Sequence, residues 1–426
     1  MLQISRLRTD KDAIIEAYKK RNVTDIQIAE ISNLIKLDDE RKSVQTENDT
    51  LLSQVNSLSK EIGLFFKNGE QEKANAAKAQ VAEVKEQSKT LETKLKDIQE
   101  RIFEGLLTLP NVPHPSVPAG NTEEDNEVYK AWDKDLPVLP ESSKPHWELA
   151  EVYNLIDFKL GVKITGAGFP LYRGKGAKLE RALINFFLDE AGKAGYEEIM
   201  PPLLVNEDSA RGTGQLPDKE GQMYHAVKDN LFLIPTAEVP ITNMYRDVIL
   251  DHSDFPIKLT GYTPCFRREA GSYGSDVKGL NRVHQFNKVE VVQLQHPDKS
   301  DDTLYEMMHH VEGILQKLEL PYRILRLCGG DLGFVSSLTY DFEVYSAAQK
   351  KWLEVSSVSN FETFQSNRLK LRFKDAEGKK HLAHTLNGSA LALARIVASL
   401  LENNQTSDGI AIPEVLRKYT GFDIID

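Results

Sequence analysis

The feature that most constrains this chain is a pair of heptad seams separated by a short turn. Apolar residues recur in alternating steps of three and four between positions 34 and 65, and again between positions 74 and 102. Asn68 and Gly69 lie between the two seams. Because neither apolar stripe can stay exposed, the pattern predicts two long helices folded back as an antiparallel hairpin. At a rise of 1.5 Å per residue, about 40 residues give an arm roughly 60 Å long.

Composition narrows the class of protein. A chain of 426 residues predicts two or three domains. No run of about eighteen apolar residues occurs, and the basic start is not followed by an apolar segment, so we expect neither a membrane span nor secretion. Cys265 and Cys328 are the only cysteines, which favours a reducing cytoplasm and gives no reason to expect a structural zinc.

The charge of the chain argues against one kind of nucleic-acid binding. Lys and Arg total 53 against 64 Asp and Glu, a net charge of -11, which is unlike a protein that coats nucleic acid non-specifically. One flank of the second helix nevertheless carries four spaced lysines. On pattern alone, interleaved glutamates favour a solvated, salt-bridged face, and the alternative is a row of cations for a phosphate backbone. The four are Lys78, Lys85, Lys89 and Lys96.

A proline-rich stretch at positions 109–118 ends the helical arm, since proline cannot continue a helix. We therefore predict an N-terminal domain over residues 1–108, with its arm at about 27–103, and a second domain over residues 109–426. In the second domain, helical patterns such as Ala177–Gly192 alternate with short β-branched runs joined by hairpin-length turns. This arrangement predicts an α+β fold in which helices pack on an antiparallel sheet.

Two segments could carry chemistry. Residues 266–274 and 283–290 have the layout of a strand, a loop with basic residues and a returning strand, with Glu269 and Glu290 at opposite ends. Arginine on such a loop suits phosphate, because the planar guanidinium can bind two oxygens, although a salt-bridged hairpin explains the same residues. Residues 386–402 predict a small-residue turn entering an apolar helix. Arg395 in that helix requires either a protein carboxylate or a ligand anion.

Two glycine pairs also stand before or within predicted helical segments. They are Gly174 with Gly176, and Gly212 with Gly214. Neither pair completes a nucleotide-binding fingerprint, so turns or helix caps are favoured over phosphate loops.

In combination these segments resemble the class II aminoacyl-tRNA synthetases, and among them the seryl-tRNA synthetase family. Residues 195–202, 266–290 and 386–402 resemble motifs 1, 2 and 3 of that class, in the same order. The strings at 111–118, 212–217, 235–240 and 354–357, together with the N-terminal hairpin, are similar to seryl enzymes in particular. The resemblance covers nearly the whole chain.

The resemblance implies an enzyme that uses ATP to convert L-serine to seryl-adenylate and then charges tRNA(Ser), with tRNA(Sec) as an additional expected substrate. Arg267 and Arg395 would be the catalytic cations. ATP contacts are implied for Arg267, Arg268, Glu269, Val283, Phe286, Glu354, Val355, Ser356, Ser357 and Arg395. Serine contacts are implied for Thr236, Ala237, Glu238, Arg267, Glu290 and Ser389.

The resemblance further implies Mg²⁺ bound with ATP at Glu354 and Ser357, a cytoplasmic homodimer built on motif 1, and tRNA contacts from the lysine flank. The chain departs from the family at Ala390 and Ala394, where glycine is common, and at Arg268, where a smaller polar residue is usual. Three alternatives stay open: a paralogue that loads a carrier protein, a non-catalytic coiled-coil interaction protein, and a class II enzyme for another amino acid.

Overall fold

The structure is a computed structural model that describes residues 1–218, 220–269 and 278–426. The middle of the predicted motif 2 loop, residues 270–277, lies outside this part of the chain. The described residues form two compact units, one comprising Met1–Tyr18 and Val23–Pro110, the other Lys19–Asn22 and Asn111–Asp426. The α-helices are α1 Ile4–Thr9, α2 Lys11–Tyr18, α3 Asp25–Lys67, α4 Gln71–Thr108, α5 His146–Val152, α6 Phe158–Ile164, α7 Gly174–Lys193, α8 Glu207–Thr213, α9 Glu238–Asn243, α10 Ser300–Lys317, α11 Phe364–Leu369, α12 Leu393–Asn403 and α13 Glu414–Thr420.

The strands likewise follow chain order, and short 3₁₀ turns lie at Glu123–Asp125, His252–Asp254 and Pro297–Lys299. Most of the strands are short, and only five exceed eight residues in the described part of the chain. The strands are β1 Glu127–Lys130, β2 Ile156–Asp157, β3 Leu171–Tyr172, β4 Glu197–Glu198, β5 Leu204–Asn206, β6 His225–Ala226, β7 Leu231–Leu233, β8 Ile249–Asp251, β9 Ile257–Phe266, β10 Gln285–Gln295, β11 Tyr322–Arg326, β12 Leu338–Ser346, β13 Lys351–Asn360, β14 Arg372–Lys374, β15 Lys380–Leu382, β16 His384–Ala392, β17 Gln405–Thr406, β18 Gly409–Ala411 and β19 Ile424–Ile425.

The first unit contains the predicted helical hairpin, which is confirmed. Helix α3 starts with a capping box in which Thr24 and Gln27 satisfy each other's backbone amides, and Gly69, at φ 76°, allows the turn into α4. Every seam position is buried or half-buried, as the heptad pattern requires. Asn48 and Ser88 are polar residues at seam positions, and Ser88 Oγ donates to Asn48 Oδ1 over 2.7 Å in a buried contact. This pair satisfies both side chains and fixes the register of the two helices.

The second unit is built on an eight-stranded sheet with the order β1-β11-β12-β13-β16-β10-β9-β4. All neighbouring pairs are antiparallel except β4 with β9. Helices α7, α10 and α12 contribute apolar side chains to the main core, together with alternate residues of the strands. In β10, Val289 and Val291 belong to this core, whereas Lys288 and Glu290 line a polar cavity. The period of two along the strand therefore separates core from site, and the predicted α+β architecture is confirmed.

The structure corrects one local prediction. Residues 386–392 are not a turn but part of β16, which extends to Ala392, and α12 begins only at Leu393. The small residues are explained by the sheet, because a Cβ on Gly388 would lie 3.0 Å from a methyl of Val358 on the neighbouring strand. Ala390 accordingly lies in the strand, fully buried, and only Ala394 belongs to the helix.

The two glycine pairs take the structural roles that were favoured. Gly174 begins α7, and Gly214, at φ 102°, ends α8 in the left-handed conformation. Within the described ranges, no helix has the length and apolar content needed to span a membrane.

Candidate active site

The candidate site is a cleft on the polar face of the large sheet, formed by three adjoining cavities. The largest two have volumes of about 680 and 950 Å³, and a narrower one of about 200 Å³ adjoins them. Arg267, Arg282 and Glu354 line all three cavities. The residues predicted from motifs 2 and 3 therefore meet in one cleft, although about a hundred positions or more separate them in the chain.

A compact polar cluster forms the floor of the first cavity. Thr236 Oγ1 donates to Glu290 Oε2 over 3.1 Å and accepts from the backbone amide of Glu238 over 3.2 Å. Lys288 Nζ lies 2.7 Å from the same Glu290 oxygen, and both of these side chains are almost fully buried. Gln365 Nε2 donates to Glu238 Oε1 over 2.5 Å. Two carboxylates are thus held in place on the lining of the first cavity.

Burial changes the acidity of this cluster. Desolvation raises the pKa of Glu238 to about 7, and the nearby charge of Glu290 acts in the same direction. Ser389 lines the same cavity from β16, where it lies opposite Glu290 in the sheet register. The pocket combines acceptors for an ammonium group with hydroxyl and carboxylate partners for a small polar side chain.

The narrow cavity is lined mainly by motif 2 and motif 3 residues. The Arg267 guanidinium lies 5.4 Å from the centre of the Phe286 ring, and Val283 lines the wall beside them. Glu269 forms an ion pair with Arg282 at 3.4 Å. The exposed edge of this cavity therefore carries two arginines next to an aromatic face, a combination suited to a base attached to phosphates.

Arg395 has the partner that a cation in an apolar helix requires. Its Nε donates to the carbonyl of Asn281 over 3.0 Å, and its Nη1 donates to the carbonyl of Glu354 over 2.6 Å. The Glu354 carboxylate lies 3.6 Å from Arg395 and is half exposed. Two backbone carbonyls and the Glu354 carboxylate thus orient the guanidinium at the cleft.

The segment 354–357 brings oxygen atoms to the cleft. Glu354 and Ser357 line the two larger cavities, and Val355 and Ser356 line the narrow one. Val355 also packs into the main core, and Ser356 Oγ donates to the carbonyl of Ser389 over 2.5 Å. Nearby, Asp341 Oδ1 is buried without a hydrogen-bond partner in the described part of the chain, and burial together with Glu354 raises its pKa well above the usual range. No group of three or more His, Cys, Asp or Glu side chains among the described residues is arranged as a metal cage.

Two predicted residues do not line these cavities. Arg268 is exposed, and its backbone amide donates to the carbonyl of Gln222. Ala237 packs with Ile241, Leu259 and Val292 in a small apolar cluster, because it starts the turn into α9 and its methyl group points into that cluster. The other predicted ATP and serine residues each line at least one of the three cavities.

Three residues that line or support the cleft were not predicted from the sequence. Lys288 was within the motif 2 string, and its alternation with Glu290 on one strand was a usable signal. Gln365 donates a hydrogen bond to Glu238, which lies 127 positions earlier in the sequence. The carbonyl of Asn281 accepts from Arg395, which lies 114 positions later. No local pattern reveals contacts of that kind, because they depend on how distant strands are ordered in the sheet.

The fold and the cleft define a class of protein. Residues 223–404 match the tRNA synthetase class II core domain (G, H, P, S and T), and residues 1–113 match the seryl-tRNA synthetase N-terminal domain. The second unit thus has the core of a class II tRNA synthetase.

Similar proteins indicate which family within this class the chain belongs to. The chain is 48% identical to a serine--tRNA ligase of Salinibacter ruber, covering 99% of this chain and 98% of the relative, and 46% identical to one of Chlorobaculum parvum over the full length of both. A seryl-tRNA synthetase of Pyrococcus horikoshii, solved with ATP, has a TM-score of 0.91 at 34% identity and covers 100% of this chain and 99% of its own. The chain belongs to the seryl-tRNA synthetase family.

Proposed function

We propose that this chain activates L-serine with ATP and transfers the seryl group to the 3′ end of tRNA(Ser). The observation that carries the proposal is one continuous cleft in which the Thr236–Glu290–Lys288 cluster lies beside Arg267, with Arg395 at the other end. A small amino acid and a nucleotide can occupy such a cleft side by side. Family relatives are named serine--tRNA ligases, and a solved relative from Naegleria fowleri, at 25% identity, is complexed with AMP.

In the first step, a carboxylate oxygen of serine attacks the α-phosphorus of ATP. A bond forms between that oxygen and phosphorus, the bond to the β-phosphate oxygen breaks, and pyrophosphate leaves with the electron pair. The reaction brings several negative charges together, so positioning and cationic stabilisation are the main requirements. Arg267 is placed between the serine pocket and the Phe286 cavity, where it can contact both the carboxylate and the α-phosphate.

The nucleotide occupies the narrow cavity. Phe286 stacks on adenine, Glu269 accepts from the adenine amino group, and main-chain groups near Val283 line the same site. Arg395 binds the terminal phosphate. Arg268, exposed two positions beyond the end of β9, is a further ATP contact in this proposal. Glu354 and Ser357 are the residues that would hold Mg²⁺, a hard cation that takes a few protein oxygens and completes its shell with phosphates and water. When bound, this ion neutralises phosphate charge.

The amino acid occupies the floor cluster. Glu238 and Glu290 accept from the ammonium group, while Thr236, Ser389 and the backbone around Ala237 surround the side chain. A pocket whose polar groups bond to a hydroxyl rejects alanine by roughly 10⁴-fold or more, because those groups would otherwise stay unpaired. Glycine and alanine are therefore poor substrates. Threonine must be excluded by the fit of its side chain among these groups, which discriminates less strongly than an unpaired polar group.

The two predicted domains divide the work. Residues 109–426 catalyse both steps, and residues 1–108 bind tRNA through the arm. Lys85, Lys89 and Lys96 are exposed along α4, and in the described part of the chain no ion pair joins them to the neighbouring glutamates. Lys78 lies 4.5 Å from the centre of the Phe66 ring near the tip. These lysines supply the phosphate contacts, with tRNA(Sec) as an additional substrate.

The enzyme is a cytoplasmic homodimer in this proposal. Met200, in the motif 1 segment, is 89% exposed, and Val227 is 75% exposed. Leu203 and Leu204 are also exposed, just before and at the start of β5, an edge strand of the three-stranded β5-β7-β6 sheet. Apolar side chains concentrated at a sheet edge favour burial against a second copy of the chain.

The deciding experiment is amino-acid-dependent exchange of pyrophosphate into ATP, measured with each of the twenty amino acids. Serine should support exchange at least a thousand-fold better than alanine, and R267A should lower the serine rate by roughly 10²- to 10³-fold, because it removes a preorganised charge at the reacting phosphate. The matched control is R372A, an exposed arginine on β14. Absence of serine-dependent exchange, or an unchanged rate in R267A, contradicts the proposal.

A rival function, loading of a carrier protein, shares the activation step. It is tested by adding purified tRNA to the activated enzyme and measuring acid-stable seryl-tRNA. Activation without any transfer to tRNA would favour the rival.

A further inference from the structure

A buried histidine and a buried glutamate lie behind the candidate active site without taking part in it directly. His146, at the start of α5, and Glu402, in α12, are both fully buried. His146 Nδ1 lies 2.6 Å from Glu402 Oε1, and the backbone amide of His146 donates to the same oxygen over 2.8 Å. Ser346 Oγ donates to the other oxygen of Glu402. These bonds keep the carboxylate ionised, and the pKa of Glu402 is lowered although desolvation acts against it.

The contacts of His146 fix the state of its ring. Glu402 accepts from Nδ1, and Nε2 accepts from the backbone amide of Leu280 over 2.8 Å. The proton therefore lies on Nδ1 and the lone pair of Nε2 faces Leu280. Gly279 packs over the same atom: a Cβ there would lie 2.2 Å from His146 Nε2, and its φ of 68° also favours glycine. His146 thus holds the backbone of residues 279–280.

The backbone held by His146 continues directly to the cation proposed to bind ATP. The carbonyl of Asn281, one residue after Leu280, accepts from Arg395 Nε over 3.0 Å. Gln349 reinforces this link from the other side, because its Nε2 donates to Glu402 over 2.8 Å while its Oε1 accepts from Asn281 Nδ2 over 2.9 Å. Hydrogen bonds therefore connect Glu402 to His146 and His146 to the Leu280 amide, and the next residue, Asn281, accepts from the Arg395 guanidinium.

We propose that His146, oriented by Glu402, is a positioning residue that aligns Arg395 and the adjoining wall of the cleft for ATP. His146 does not contact either substrate in this assignment. Its effect is specific to the nucleotide, because the Leu280–Asn281 backbone lines the narrow cavity, whereas the floor cluster around Glu290 is supported by Lys288 and Gln365 instead. The assignment rests on the proposed function for its kinetic consequences, but the backbone clamp can be measured without activity.

The test uses H146N in the full-length chain. The side-chain amide of asparagine can replace His146 Nδ1 and keep the bond to Glu402, but it is too short to replace Nε2 as the acceptor for the Leu280 amide. Loss of that bond should raise the KM for ATP in serine-dependent pyrophosphate exchange by roughly tenfold, while the KM for serine changes by less than twofold. Combined with R395A, H146N should add almost nothing to the KM for ATP, because both act through one guanidinium.

G279A is the second variant, for the case in which H146N does not fold. It leaves His146 and Glu402 unchanged but displaces the clamped backbone, so the same selective rise is expected. The matched control is H381N. His381 Nε2 lies 2.6 Å from Asp375 Oδ2 in the hairpin of β14 and β15, away from the cleft, and its loss should leave both KM values unchanged.

Hydrogen exchange of the Leu280 amide separates this inference from the proposed function. H146N should accelerate exchange of a peptide covering residues 278–283, relative to wild type and H381N. If wild type does not activate serine but this acceleration is seen, the clamp stands and the proposed function fails. Unchanged exchange, an unchanged KM for ATP in folded H146N, or an equal rise in both KM values would overturn the assignment.

Discussion

At the scale of single residues, the protein buries ionisable groups whose pKa depends on the hydrogen bonds and charges of their neighbours. Glu180 of α7 is an example outside the cleft. Its Oε1 accepts from Asn287 Nδ2 over 3.0 Å, but Oε2 is buried without a partner among the described residues. Burial raises the pKa of Glu180 to about 7. Such a group is neutral in mildly acidic solution and an unpaired buried charge in alkaline solution.

This arrangement predicts how E180Q alters stability with pH. The folded state holds a proton on Glu180 up to about pH 7, whereas the unfolded chain releases it near pH 4.5, so wild type loses stability as the pH rises between these values. Glutamine cannot ionise and keeps the bond from Asn287. E180Q should therefore change the free energy of unfolding little at pH 5 and raise it at pH 8 by up to roughly 3 kcal/mol. Urea unfolding at both pH values measures the difference.

Glu190, on the same helix, supplies a control of opposite sign. Desolvation would raise its pKa, but Lys193, at 2.6 Å, and Lys317 outweigh it and lower the pKa. Its ionised form therefore stabilises the fold above the unfolded pKa, and that contribution is lost as the pH falls through the lowered value. E190Q should lower the free energy of unfolding at pH 8 relative to wild type. Equal effects of E180Q at pH 5 and pH 8 would show that Glu180 is not a buried, protonated acid.

At the scale of secondary-structure elements, the lysine flank of α4 gives a test of RNA binding. The triple variant K85Q/K89Q/K96Q should raise the KM for tRNA by roughly tenfold and flatten its salt dependence by about one unit of slope for each phosphate that is no longer bound. Pyrophosphate exchange should not change. K94Q is the matched control, because Lys94 is on the same helix but pairs with Glu40 at 2.9 Å. An equal effect of K94Q would indicate a general reduction of charge and not a tRNA-binding face.

The elements also show what a sequence can predict about this fold. Both arm helices followed from the heptad seams, because a coiled-coil pattern is local and its turn is marked by Asn68 and Gly69. Residues 386–392 of β16 were predicted as a turn. Their small side chains suit contacts with neighbouring strands, and only the order of the sheet reveals those contacts. The same limit applies to the site: Arg267 and Arg395 were predicted through motif resemblance, whereas the roles of Gln365 and His146 depend on distant contacts.

At the scale of the whole molecule, the net charge of -11 fits an enzyme that binds one RNA by shape and keeps its basic residues in a few places. This division of labour predicts that removing the arm separates the two reactions. Deleting Gln27–Arg101 and joining the ends with a short linker should leave serine-dependent pyrophosphate exchange within severalfold of wild type and abolish tRNA charging. Exchange depends on the second unit, whose cleft contains no residue of the deleted segment.

A shortened arm gives the more discriminating version of this experiment. Asn48 contacts Ser88, so residues 52–58 of α3 lie opposite residues 78–84 of α4, and deleting both heptads keeps the seam in register while shortening the arm by about 10 Å. If the arm measures the length of its RNA partner, this variant should remain folded, retain exchange, and charge tRNA at least tenfold more slowly. Charging at the wild-type rate with the shortened arm, or any charging with the full deletion, would mean that recognition lies in the second unit.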